Sequence, residues 1–271
     1  MSATIVIRRI SETAEKVEVA NLLYKNDGQF VPVTPLSFLR ESTNFYKAVF
    51  DDVPEIRAAS SYEEWLRGCA AGAETANADT TVYELASSIV HDPMGGFRDP
   101  SLQQVFSFTR LMVILYPYLS SRQTPLTEGI SVVAAIAAAN QRSHQAMLGL
   151  GMKPINPLPK WLEYEHRNWF PKLTAGSQRR IDEEAHYLWF PPEAVKTLFQ
   201  RLAPYADGSK ALVRKKHGDP TVTETYKIKI DVEEYGFIVA QFGSLSKALD
   251  EIPYEIFRAP PQCARLNGGT F

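Results

Sequence analysis

The stretch 130–152, ISVVAAIAAANQRSHQAMLGLGM, constrains the fold more than any other part of this chain. Ile130, Val132, Val133 and Ile136 stand among small alanines in one apolar run. The run is too short to cross a bilayer as a helix. It reads as a buried strand, although periodicity alone does not separate such a strand from a buried helix. Asn140 stops the run, and its side-chain carbonyl can cap a following helix. Ser143, Met147 and Leu150 then recur at helical spacing, and Gly149 and Gly151 end that helix. The predicted unit is a buried strand, an Asn-capped short helix, a glycine stop and a new extended segment from Met152.

That order resembles the second half of the GNAT acyltransferase superfamily. The family pattern there is a hydrophobic strand ending in Asn, a small residue three on, a bulky or aromatic residue seven on, and Gly-Phe eleven and twelve on. Asn140, Ser143, Met147, Gly151 and Met152 occupy those positions. Met147 stands where many members carry Tyr, and Met152 where most carry Phe. The plain alternative is an ordinary strand–helix unit that stops on glycine.

Thr80–His91, TTVYELASSIVH, is the second informative stretch. As a strand it places Val82, Glu84, Ala86 and Ser88 on one face and Tyr83, Leu85, Ser87 and Ile89 on the other. A carboxylate amid apolar residues is costly to bury unless it is paired or holds its proton. A raised carboxyl pKa is what a general base acting on an amine requires. The structural alternative is a Glu84 paired with an arginine.

The strand runs into Asp92-Pro93-Met94-Gly95-Gly96-Phe97-Arg98-Asp99-Pro100-Ser101. Asp99 can cap and Pro100 suits the first helical position, so a helix is expected from Ser101 to about Leu115. A glycine-bearing loop leading into a helix is a geometry that receives phosphate oxygens. In GNAT enzymes that loop holds the pyrophosphate of acyl-CoA through a Gln/Arg-x-x-Gly-x-Gly/Ala pattern, which is not met here. Gly95, Gly96 and Arg98 remain to do it, with Asp99 opposing them. Tyr83-Glu84-Leu85-Ala86 is also similar to the Trp-Glu-Leu-Ser-Arg strand of acyl-homoserine-lactone synthases and N-acyl amino acid synthases. These GNAT-like proteins take acyl chains from acyl carrier protein. The Arg of that motif is replaced by Ser87.

Along the rest of the chain, Thr4–Ile10 alternates as a half-buried strand and Ala14–Tyr24 follows as a helix. Pro35–Phe50 and Ser61–Gly72 read as helices, the second capped by Ser61 with Glu63 and Glu64 behind it. Tyr187–Pro191 reads as a strand, and Pro192–Tyr205 as a helix with Ala194, Val195, Leu198, Phe199 and Leu202 inward. In 206–271, Ala211–His217 and Thr223–Val232 read as strands, Tyr235–Phe242 as a hairpin partner and Ser244–Leu249 as a short helix.

Length and charge narrow the function classes. The 271 residues allow a substantial core, and 29 basic against 31 acidic residues leave a net charge of −2. That balance argues against a dedicated nucleic-acid binder. Cys69 and Cys263 make no disulfide framework. The start, MSATIVIRRI, lacks a secretory pattern, so a cytoplasmic location is expected. Glu163, Glu165 and His166, or Glu183, Glu184 and His186, lack the spacing of a metal site, so no metal is expected. His144 is expected to face water.

The resemblance therefore implies an α/β, GNAT-like mixed central sheet flanked by helices over residues 1–205, with a β-rich C-terminal extension over 206–271. It implies transfer of an acyl group from acetyl-CoA or another acyl-CoA, or from acyl carrier protein, to a small-molecule amine. Glu84 would be the base, and Asn140 and Ser143 would hold the thioester end. Backbone groups of Ile89, Val90 and His91 would bind the pantetheine arm, and Gly95, Gly96, Arg98 and Ser101 the phosphates. The rivals are a GNAT-shaped binding protein without catalysis and a carrier-dependent synthase of N-acyl amino acids or acyl-homoserine lactones.

Overall fold

A computed structural model describes residues 3–24, 44–50, 53–67, 80–90, 129–159, 162, 185–216 and 219–261. The described strands are β1 (Ala3–Arg9), β2 (Asn44–Phe50), β3 (Val53–Arg67), β4 (Thr80–Val90), β5 (Gly129–Ala137), β6 (Lys153–Pro154), β7 (Ala185–Trp189), β8 (Leu212–Lys216) and β9 (Asp219–Asp231). The described α-helices are α1 (Thr13–Tyr24), α2 (Gln141–Gly149), α3 (Pro192–Ala206), α4 (Glu233–Phe242) and α5 (Leu245–Ala248). All nine strands form one sheet in the order β6-β7-β5-β4-β3-β2-β1-β9-β8. Only β1–β9 and β4–β5 run parallel, so the sheet is mixed.

Alternation along the strands divides the sheet between two cores. Ile5 and Ile7 of β1, Tyr46 and Ala48 of β2, and Tyr83 and Leu85 of β4 join α3 and α4 in the larger core. Val82, Val133, Leu162, Ala185 and Tyr187 form a smaller one. Val133 and Tyr187 lie one residue from Val132 and Leu188 of the large core, which places the two clusters on opposite faces. Helix α1 lies against β3 and β4. Its Glu15 pairs with Lys47, which leaves the sheet on the side opposite Tyr46.

The N-terminal strand and helix, the strand through Thr80 and the unit at 130–152 form as their sequences predict. Three expected elements change type. In Pro35–Phe50 and Ser61–Gly72, read as helices, the described residues 44–50 and 61–67 belong to β2 and β3 instead. Tyr46, Lys47, Ala48 and Val49 are all buried, so β2 is covered on both faces and shows no polar alternation to read. Ser61, read as a cap, lies inside β3, hydrogen-bonded between β2 and β4. Pairing with two distant strands overrides a local capping signal there.

The third change is Tyr235–Phe242, which is helix α4 and not a hairpin arm. Glu233 and Glu234 favour the positive end of a helix dipole, and Gly243, at φ 81°, supplies the left-handed stop. Residues 206–271 contribute β8, β9, α4 and α5, and β9 is hydrogen-bonded to β1 within the same sheet. Asp207, at the end of α3, accepts from the backbone N–H groups of Leu245 and Ser246 and ties α5 to it. No described helix is long and apolar enough to cross a membrane.

Candidate active site

Strands β4 and β5 begin side by side and then part. Their parallel pairing runs from Thr80↔Gly129 to Glu84↔Val133 and goes no further. Beyond that point β4 continues to Val90 against β3, while β5 continues to Ala137 against β7. Past the fork, the edges that β4 and β5 turn towards each other have no sheet partner among the described residues. Backbone N–H and C=O groups on such edges need hydrogen bonds, and an extended amide-bearing chain entering the fork would supply them. Ile89 and Val90 lie on this part of β4, in register with Ala59 and Ala58.

Glu84 stands at the crotch of the fork. It is 8% exposed, and alternation and register place it on the face that carries Val82 and Val133. Across the antiparallel pair with β3 its register partner is Glu63.

The other arm of the fork ends in the Asn-capped helix. Asn140 Oδ1 accepts from the Ser143 N–H at 3.1 Å, as its position predicts. The two residues thereby brace the start of α2 at the end of β5. Gly151 has φ 89°, and a Cβ there would fall 3.0 Å from Ala194 Cβ, so the glycine serves both the turn and the contact with α3. Met147 is 2% exposed within the large core. At that position the chain therefore has a packing side chain and no proton donor.

His144 keeps part of its surface in solvent and stacks on His186 of β7, with ring centroids 3.9 Å apart and planes 11° from parallel. Burial, then the charge of His186, lowers its pKa from the usual histidine value. His144 Nδ1 and His186 Nε2 are buried without a hydrogen-bond partner among the described residues. Rings in near-parallel planes cannot both aim a lone pair at one ion, so the stack as it stands does not chelate. No group of three metal ligands occurs among the described residues.

Of the residues the sequence singles out, Glu84, Asn140 and Ser143 fall on the two arms of one fork. His91, Gly95, Gly96, Arg98 and Ser101 lie outside the described residues. Sequence reasoning missed Thr80 and Ser131, two fully buried hydroxyl residues on the paired part of β4 and β5. The signal for Ser131 was a lone hydroxyl in an otherwise apolar strand, whereas Thr80 opens a strand of mixed polarity.

No protein-family model matches this chain, and no curated protein matches it. Solved structures do. The chain is similar to N-acetyltransferases. One is Arabidopsis thaliana NAA60 in complex with a bisubstrate analogue, at 10% identity and a TM-score of 0.45, covering 69% of this chain and 97% of that one. A second is FeeM, an N-acyl amino acid synthase from uncultured soil microbes, at 11% identity and a TM-score of 0.39, covering 69% and 91%. A third is the AHL synthase LasI, at 13% identity and a TM-score of 0.34, covering 69% and 88%.

Proposed function

We propose that this chain transfers an acyl group from a thioester donor, acyl-CoA or acyl carrier protein, directly to an amine. The observation that supports this reading is the fork, where the β4–β5 pairing stops at Glu84. It combines an unpaired backbone edge, suited to the amides of a pantetheine arm, with a carboxylate at the closed end. Glu84 takes a proton from the amine, which then attacks the thioester carbonyl. Backbone groups of Ile89, Val90 and His91 hold the pantetheine, and Gly95, Gly96, Arg98 and Ser101 meet the phosphates of a CoA donor. Asn140 and Ser143, at the start of α2, help hold the thioester end. Because Met147 supplies no proton, the departing thiolate takes one from water or from the attacking nitrogen. Both reactants are positioned side by side, so no covalent enzyme intermediate forms.

Calorimetry with acetyl-CoA, a long-chain acyl-CoA and desulfo-CoA, followed by thiol release in the presence of a panel of amines, tests this reading. Binding of a CoA ligand with amine-dependent thiol release supports it. Turnover with carrier-bound chains alone would select the synthase branch, towards which Tyr83-Glu84-Leu85-Ala86 points. A second reading, donor binding without turnover, is favoured by the buried Met147 and would appear as heat of binding with no thiol released.

A further inference from the structure

Below Glu84 the paired part of the fork carries two polar atoms without partners among the described residues. Thr80 and Ser131 are each 0% exposed. Neither Thr80 Oγ1 nor Ser131 Oγ has a hydrogen-bond partner among the described residues. Buried hydroxyls are ordinarily satisfied, and a pair that is not marks a place for water or a ligand atom.

The register puts them in a row with the candidate base. Thr80, Val82 and Glu84 alternate onto one face of β4, and Ser131 and Val133 share it as the cross-strand partners of Val82 and Glu84. Ser131 therefore stands diagonally between Thr80 and Glu84. Alternate residues of a strand are about 7 Å apart. One water spans polar atoms about 5.5 Å apart, so it can bridge diagonal side chains that reach towards each other. At the lower end, a Cβ on Gly129 would fall 2.8 Å from Thr80 Oγ1 and 2.7 Å from Arg258 Cδ. The Thr80 hydroxyl and the half-buried Arg258 stem therefore both lie against Gly129. Water along that stem would join the row to solvent, the guanidinium itself having no lone pair to accept a proton.

Resting on the acyltransferase reading above, we propose that Ser131 and Thr80 hold buried water beneath Glu84, and that this row carries the reaction's proton out of the site. An ammonium and a thioester yield an amide, a thiol and one proton, so one proton must leave per turnover. With donor and acceptor both in the fork, the upper route from Glu84 is filled. In the row, each hydroxyl or water accepts a proton on a lone pair and releases its own to the next. The net change is one proton moved, with no bond between heavy atoms altered. Ser131 and Thr80 act through Glu84 and are positioning residues.

The test uses the full chain. A crystal structure should show water bonded to both Ser131 Oγ and Thr80 Oγ1. With acetyl-CoA and an amine that the wild type acylates, Ser131→Ala and Thr80→Val should each lower kcat about tenfold. KM for acetyl-CoA should not change, the solvent isotope effect should grow, and Ser131→Thr should restore most of the rate. Melting temperature does not discriminate, because losing a buried hydroxyl that bonds water or a backbone carbonyl changes stability in either case. Hydroxyls found bonded to backbone carbonyls with no water, or variants with wild-type kcat, overturn the route and leave the acyltransferase reading standing. A wild type that releases no thiol with any amine removes both.

Discussion

The sheet contains two parallel pairings, and they differ in how they end. β1 stays zipped to β9 from Ala3↔Tyr226 to Arg8↔Asp231, nearly its whole length. β4 leaves β5 after Glu84↔Val133 with six residues still to run. The polar groups buried beside the two pairings differ in the same sense. Near β1, Tyr46 donates to Glu234 Oε1 at 3.0 Å, Arg9 approaches the same oxygen at 3.7 Å, and Lys47 pairs with Glu15. One oxygen there, Glu234 Oε2, lacks a partner. Around the fork, Thr80, Ser131, His144 and His186 each keep a buried polar atom unbonded. The closed pairing spends its polar groups on holding β1, β2 and α4 together. The open one leaves polar groups that no described residue completes.

The largest expected effect separates the two regions by activity. Glu84→Gln should lower amine-dependent thiol release by about 10²–10⁴-fold, the usual contribution of a general base. Turnover at the wild-type rate would remove Glu84 from the chemistry and make the fork a structural feature. Tyr46→Phe tests the closed side. Removing the hydroxyl leaves Glu234 Oε1 with only the longer Arg9 contact, which should cost about 1–3 kcal/mol in denaturant unfolding. Turnover per folded molecule should hold, and a rate loss matching that of Glu84→Gln would erase the distinction.

The smallest effects are in pH dependence, and they fall in different windows. The folded pKa of His144 is lowered by burial and then by His186. The unfolded chain therefore binds the extra proton as pH falls below about 6.5, and stability should drop there. His144→Gln should flatten that acid limb in melts taken against pH. Lys47 is lowered from 10.5 to about 8, first by burial and then by the charge of Arg8, with Glu12 opposing. Between those values the unfolded chain again holds more protons, so stability should rise with pH from about 8 to 10.5. Lys47→Met should remove that rise and leave the acid limb untouched.

Elements whose evidence is local were legible in the chain. Asn140, Ser143 and Gly151 each act within a few residues of themselves, so capping and turn rules sufficed to place α2. The same rules misread Ser61 and Tyr235–Phe242. The first belongs to β3, a strand paired on both sides, and the second is α4, whose Glu234 is anchored by Tyr46 of β2. The stacking of His144 was out of reach for the same reason, since its partner His186 lies on another element.

Sequence alone pointed to strands through Thr80–His91 and from Ile130 and to a helix starting at Asn140, because apolar patterning and caps are short-range properties. Only the tertiary structure decided that these two strands are neighbours, that they run parallel, and that their hydrogen bonds stop at Glu84. Pairing register depends on what each strand gains from its other neighbour, here β3 for one and β7 for the other. That competition is spread over residues far apart in the chain, where no local pattern records it.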